Sequence, residues 1–132
     1  LKTLPMYSLA SARETKEFKV PSHLTEIEMH AFTDSTIEKL YIPKSIKNIS
    51  CYACYSSVYL KEIIFEEGCT ADLYGDLFVE CTSLEIVEIP SSITYIDSTV
   101  FSDCNKFKVR CKKDSAAYKY ATDNMYEIEV IN

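Results

Sequence analysis

The feature that most constrains the fold of this chain is an apolar pattern that recurs about every 23 residues. It is clearest in residues 84–107, LEIVEIPSSITYIDSTVFSDCNKF, whose apolar positions fit neither a single helix nor a single strand. Each copy carries an apolar residue just before a turn, and these residues are Val20, Ile42, Phe65 and Ile89. They are 22, 23 and 24 residues apart. Such a period predicts a solenoid of stacked coils, because one coil cannot bury its own apolar side.

The same apolar columns recur inside each copy. About seven residues after the pre-turn residue stand Ile27, Ile49 and Ile96, with Leu73 one place late. About twelve residues after it stand Phe32, Cys54 and Phe101, with Phe78 one place late. Proline makes the turn in three copies, and Gly68 can bend the third. Since insertions in one repeat usually form loops, residues 69–76 of the third copy are predicted to be a surface loop.

The columns also predict the secondary structure. Adjacent parallel strands are expected at residues 17–20, 38–42, 62–65, 86–89 and 108–111. Residues 112–132 break the pattern: Asp114 or Ser115 can cap a helix, and apolar residues then follow at helical spacing, at Ala117, Tyr118, Ala121 and Met125. Apolar residues next alternate with glutamates, as in a half-buried strand, at Tyr126, Ile128 and Val130. Residues 1–17 are predicted to form a degenerate N-terminal coil at the sheet edge, with a helical turn at 10–14.

These columns resemble the BspA-like leucine-rich repeats found in surface proteins of host-associated bacteria and some protists. That family's pattern, L-x-x-I-x-I-P-x-x-V-x-x-I-x-x-x-A-F-x-x-C-x-x-L, is matched almost position for position by residues 84–107 and well by residues 20–37 and 37–60. Residues 60–84 depart at the proline and carry an insertion. The C-terminal KDSAAYKYATDNMYEIEVI resembles the cap of bacterial members. We therefore expect a right-handed leucine-rich-repeat solenoid, β-rich α/β, with four to five coils over residues 18–111 and a helix–strand cap over 112–132.

The resemblance implies a non-enzymatic binding or adhesion module of a secreted or cell-surface protein. Its partner would be a protein, such as a host matrix protein, or a cell-surface glycan. A structural spacer that presents another domain is the alternative, and a hydrolase acting on glycans or peptides is a remote third. The formal net charge of −6 argues against nucleic acid, and no apolar run approaches the roughly 20 residues of a membrane helix. Because the chain begins with Leu1 and not Met, we interpret it as a fragment of a longer protein.

A binding role would fall to residues that point outward from the strands, since the repeat columns are core. Stacked between the last two inward positions of each strand are Lys19, Tyr41, Ile64, Glu88 and Arg110, and a neighbouring outward column holds Lys39, Glu62, Ile86 and Lys108. Tyr41, Ile64 and Ile86 are apolar where water is expected. They indicate either a partner-binding patch or cross-strand stacking that merely supports the sheet. The candidate binding residues are Lys19, Tyr41, Ile64, Ile86, Glu88 and Arg110.

Other groups with chemical potential do not form a site in the sequence. Four of the six cysteines fall on repeat columns, where a free thiol serves as a small apolar side chain. Cys81 and Cys104 share one column and are the pair that adjacent coils could bridge. The Cys51–Cys54 C-x-x-C sequence lacks further ligands at suitable spacing, and His23 and His30 have no oxyanion loop nearby. We therefore predict no catalytic residue, metal or cofactor.

Overall fold

A computed structural model describes residues 2–8 and 16–132 of the chain. The helical turn predicted at residues 10–14 lies outside the described residues. Within those ranges the chain forms nine short strands and one helix. In chain order they are β1 (Thr3–Leu4), β2 (Glu17–Lys19), β3 (Glu26–Ile27), β4 (Lys39–Ile42), β5 (Asn48–Ile49), β6 (Glu62–Phe65), β7 (Ile86–Glu88), β8 (Lys108–Cys111), α1 (Ala116–Asp123) and β9 (Glu127–Val130).

The strands form two parallel sheets on different sides of the coils. The larger sheet has the order β2-β4-β6-β7-β8-β9, and the smaller has the order β1-β3-β5. The repeat columns set the register: Val87, for example, pairs with Ile63 on one side and with Val109 on the other. The predicted parallel-strand solenoid is confirmed, and the five predicted strands are present with ends that agree within one residue.

The core is built from the inward columns of successive coils. One column of the larger sheet buries Leu40, Ile63, Val87 and Val109, and the next buries Ile42, Phe65, Ile89 and Cys111. The column twelve residues after the turn buries Phe32, Cys54, Phe78 and Phe101. Burying each large apolar side chain contributes about 1.5–3 kcal/mol, so stability comes from stacking the columns.

A third side of each coil carries residues in the left-handed backbone region. In one column Tyr7, His30, Tyr52 and Asp76 have φ between 57° and 61°, and in a second Asp34, Ser56, Glu80 and Asp103 have φ between 52° and 60°. Backbone hydrogen bonds join this side to the next coil, as where the His30 amide donates to the Tyr52 carbonyl oxygen at 3.1 Å. Asp and His adopt this conformation more readily than most residues, whereas Tyr, Ser and Glu are held in it by their neighbours.

The third copy differs from its prediction. The surface loop predicted at residues 69–76 is wrong, because Cys69, Ala71 and Leu73 all point into the core and Leu73 is 0% exposed. Leu73 also pairs in parallel with Ile96 of the next coil. Apolar and polar residues alternate along this segment, which is the period of a strand, so the extra residue is absorbed without leaving the coil. The bend falls on Gly68, at φ +95°.

The two ends of the array add structure beyond the four to five coils predicted. At the N-terminus, β1 pairs with β3 and Leu4 is buried. At the C-terminus, the predicted helix and strand are confirmed: the Tyr118 amide donates to the Ser115 side chain at 3.2 Å, and β9 continues the larger sheet beside β8. Met125 was expected on the helix but follows its end and is 85% exposed.

Candidate binding face

The outer face of the larger sheet, here called the strand face, carries two columns of outward side chains. Strand pairing places Lys19, Tyr41, Ile64, Glu88, Arg110 and Glu129 side by side in one column. The second column holds Glu17, Lys39, Glu62, Ile86, Lys108 and Glu127. All six candidate residues therefore lie on one face of one sheet. Their role in binding stays a prediction.

On the N-terminal half of this face, Tyr41 lies between two ammonium groups. The Nζ atoms of Lys19 and Lys39 are 5.2 and 5.1 Å from the centre of the Tyr41 ring. Lys39 also forms an ion pair with Glu62 at 3.5 Å. The hydrogen bond of Lys39 with Tyr41, and next the attraction of the Glu62 carboxylate, raise the pKa of Lys39. Lys19 has no ion-pair partner among the described residues. The Tyr41 ring is thus oriented by cation–π contacts, which are worth roughly 0.5–1 kcal/mol each at an exposed site.

Tyr41 and its strand neighbour Ile64 form the apolar base of a cleft of about 480 Å³. Its rim comes from Val20, Pro21, Ser22 and Pro43, which follow the strands, and from Ile42 at the end of β4. Two charged side chains complete it: Lys19 from the coil before Tyr41 and Glu66 from the coil after. An apolar base between a cation and a carboxylate can hold an apolar side chain of a peptide while its flanking polar groups meet the charges.

The C-terminal half of the strand face is occupied by charges that neutralise one another. The Arg110 guanidinium bonds Glu129 and also Glu88, the latter at 3.4 Å. Lys108 lies 3.9 Å from carboxylate oxygens of both Glu127 and Glu129. The hydrogen bond to Glu129, with a smaller contribution from Glu88, raises the pKa of Arg110. Glu88 and Arg110 are thus engaged with protein groups.

The apolar patch expected from Tyr41, Ile64 and Ile86 is only partly brought together. Tyr41 and Ile64 are adjacent and both half-buried. Ile86 belongs to the second column, where it pairs with Glu62 and Lys108, and it does not line the cleft. Sequence reasoning missed Glu66 and the cleft role of Pro21 and Pro43. The signal was present, because each proline follows an outward strand position by two residues.

The other groups weighed in the sequence serve packing. His30 is stacked between Tyr7 and Tyr52, with ring centres 5.3 and 5.9 Å away. Its Nδ1 lies 2.9 Å from the Thr33 hydroxyl, so it faces its own coil. In the C-x-x-C sequence, Cys54 is a buried core residue. No group of three or more metal-binding side chains occurs within residues 2–8 and 16–132.

All six cysteines are free thiols, and four of them are fully buried. The Cys81 thiol donates to the Cys54 carbonyl oxygen at 3.0 Å, and the Cys104 thiol donates to that of Phe78 at the same distance. Burial raises the pKa of the Cys54 and Cys111 thiols. A buried thiol with a raised pKa is a poor nucleophile, so these residues act as core side chains.

We predict that the protein, unfolded without reductant, releases six thiols to Ellman's reagent. In the folded state the half-buried Cys51 and Cys104 should react before the four buried thiols, which are shielded. Recovery of four thiols, with a Cys81–Cys104 peptide found by mass spectrometry, would contradict the reduced core. A Cys51→Ser variant serves as control and should lose one thiol from the fast phase and none from the slow phase.

Within the described residues, no helix has the length and apolar character needed to cross a membrane. A family model for the BspA type leucine rich repeat region matches residues 1–114 in six copies. No curated protein matches the chain significantly.

The solved structures that are similar to this chain include the following two. A leucine rich cell surface protein from Faecalibacterium prausnitzii A2-165 is 25% identical, with a TM-score of 0.55, over 81% of this chain and 35% of that protein. A leucine-rich repeat protein from Bacteroides ovatus ATCC 8483 is 20% identical, with a TM-score of 0.47, over 100% of this chain and 46% of that protein. The chain thus spans less than half the length of either.

Proposed function

Because the chain belongs to the BspA-type leucine-rich repeat family, we propose that it is a non-enzymatic, protein-binding adhesion module of a secreted or cell-surface protein. The observation that carries this proposal is the cleft at Tyr41 and Ile64 on the strand face. Surface location is supported by the F. prausnitzii relative, which is described as a cell surface protein. The partner would be a host protein, such as a matrix protein, that inserts an apolar side chain into the cleft.

The composition of the cleft supports a protein partner. Tyrosine is enriched among the few residues that dominate binding energy, and here the Tyr41 ring is already oriented by Lys19 and Lys39. An oriented ring loses little conformational freedom on binding, which lowers the entropic cost of association. Lys19 and Glu66 can each pair with a partner charge, so the cleft favours a segment with polar groups on both sides of an apolar anchor.

The structural spacer is supported by the other half of the same face. There Arg110, Glu88 and Glu129 satisfy one another, so these charges are already paired within the chain. A spacer would carry that arrangement along the whole face. The cleft breaks it, and this contrast favours a binder with a short, local contact.

We expect Tyr41→Ala to weaken binding to the partner by about tenfold or more, because a central aromatic anchor contributes about 1.4–2 kcal/mol or more. A panel of purified matrix proteins and host glycans, screened by biolayer interferometry with the wild-type chain, identifies the partner. The variant is then measured against it.

Tyr59→Ala is the matched control, because Tyr59 is an exposed tyrosine that does not line the cleft. This variant should bind like the wild type. Equal affinities of Tyr41→Ala and wild type would remove the cleft from the proposal. Failure of every protein and glycan to bind would favour the spacer.

A further inference from the structure

An exposed aromatic pair lies away from the strand face, on the side of the coils that carries the smaller sheet. Tyr74 and Tyr95 come from adjacent coils and are 55% and 45% exposed. Their ring centres are 5.5 Å apart, and the rings are tilted by 52°. The parallel pairing of Leu73 with Ile96 brings the two tyrosines together, since each flanks one member of that inward pair. Equivalent outward positions in earlier coils hold Glu26, Glu28, Asn48 and Ser50.

Both rings are held in place by carboxylates. The Tyr74 hydroxyl donates to Asp72 at 3.1 Å, and the Tyr95 hydroxyl donates to Asp97 at 3.4 Å. Asp97 is itself fixed, because it accepts from the Thr99 amide at 2.8 Å and from the Thr99 hydroxyl at 2.7 Å. Gly75 leaves room for this: an added Cβ would lie 2.4 Å from the Thr99 hydroxyl oxygen. Because both hydroxyls are hydrogen-bonded, the two tilted rings keep a fixed orientation toward each other.

The charge around the pair is negative and uncompensated. Neither Asp72 nor Asp97 forms an ion pair with any described residue. The bonds from Thr99 lower the pKa of Asp97, so this carboxylate is ionised at neutral pH. The nearby Lys119, which lines a cleft together with Tyr95, is already paired with Asp123 at 2.6 Å. Each carboxylate keeps free lone pairs after accepting from its tyrosine.

We propose that Tyr74, Tyr95, Asp72 and Asp97 form a second binding site, which takes a guanidinium or ammonium group from a basic side chain of a partner protein. The faces of aromatic rings attract cations, and two carboxylates at the edge of the pair add charge complementarity. A neutral ligand such as a sugar would leave the carboxylate charges unmatched. The site is independent of the strand-face cleft, so it stands or falls separately from the proposed function.

The site is tested by titrating ¹⁵N-labelled chain with a capped tri-arginine peptide at low salt, because screening weakens exposed charge contacts. We expect amide shifts centred on residues 72–76 and 94–99. Tyr74→Leu and Tyr95→Leu should each weaken binding by about two- to fivefold, the share of one exposed cation–π contact. Tyr74→Phe keeps the ring and should retain most of the affinity.

Tyr59→Leu is the matched control, because Tyr59 is also 55% exposed and has no ring partner among the described residues. It should bind like the wild type. Shifts spread over the acidic surface, or affinity unchanged in both Tyr→Leu variants, would reduce the effect to non-specific attraction and overturn the proposal. A neutral glucan oligosaccharide that produces the tyrosine-dependent shifts in place of tri-arginine would also overturn it.

Discussion

Phe101→Ala is expected to lower the free energy of unfolding by about 3–5 kcal/mol. Phe101 is buried where the last repeat meets the cap, and its ring lies 5.2 Å from that of Phe78 and 4.7 Å from that of Phe107. Removing it opens a cavity between two coils, and the rigid columns on either side cannot collapse into it. Urea unfolding followed by circular dichroism measures the loss.

A loss of this size is a large part of the 5–15 kcal/mol typical of a domain, so a milder variant is needed beside it. Phe101→Leu should cost less and give a folded protein with a lower midpoint. Tyr95→Ala, in the same coil but on the surface, should cost no more than about 1 kcal/mol. A wild-type midpoint for Phe101→Ala would show that this column is not core.

Leu73→Ala is expected to lower the free energy of unfolding by about 2–5 kcal/mol. A loss of this size would show that residues 69–76 belong to the core and do not form a surface loop. Leu73 is fully buried and lies beside Ile96 of the next coil, although it belongs to the irregular third copy. Thermal and urea unfolding of the variant should both show the loss.

The adjacent Tyr74→Ala is the internal control for Leu73→Ala. It removes a larger side chain but only an exposed one, so its cost should stay below about 1 kcal/mol. Equal and small effects of the two substitutions would mean that residues 69–76 lie on the surface as a loop after all.

The inward side chains were predictable because the same burial requirement acts on them in every coil. An inward position must be apolar in every coil. The repeat period can therefore be read from one inward column even where one copy carries an extra residue, as it can from Val20, Ile42, Phe65 and Ile89. The helix of the C-terminal cap was predictable for a related reason, since a capping residue such as Ser115 followed by apolar residues at helical spacing is typical of a helix start.

The positions of the outward side chains were predictable, but the contacts that these side chains make were not. Register alone placed Glu88 and Arg110 on the strand face. Arg110, however, pairs with Glu129 as well as with Glu88, and Glu129 is a residue of the cap that no repeat column identifies. The cleft at Tyr41 likewise depends on turn residues of three coils, and the Tyr74–Tyr95 pair depends on how the third copy absorbs its insertion. Such contacts are set by neighbours that differ from coil to coil.

The left-handed columns bear on how the array assembles and how it comes apart. Each such non-glycine residue costs roughly 1–2 kcal/mol in isolation, and a coil carries up to two of them, as at His30 and Asp34. A lone coil is therefore disfavoured by its own backbone and gains only when a neighbour supplies hydrogen bonds and packing. The array should therefore have an unfavourable nucleation step, after which coils add one at a time, and it should unfold from its ends, where a coil has only one neighbour.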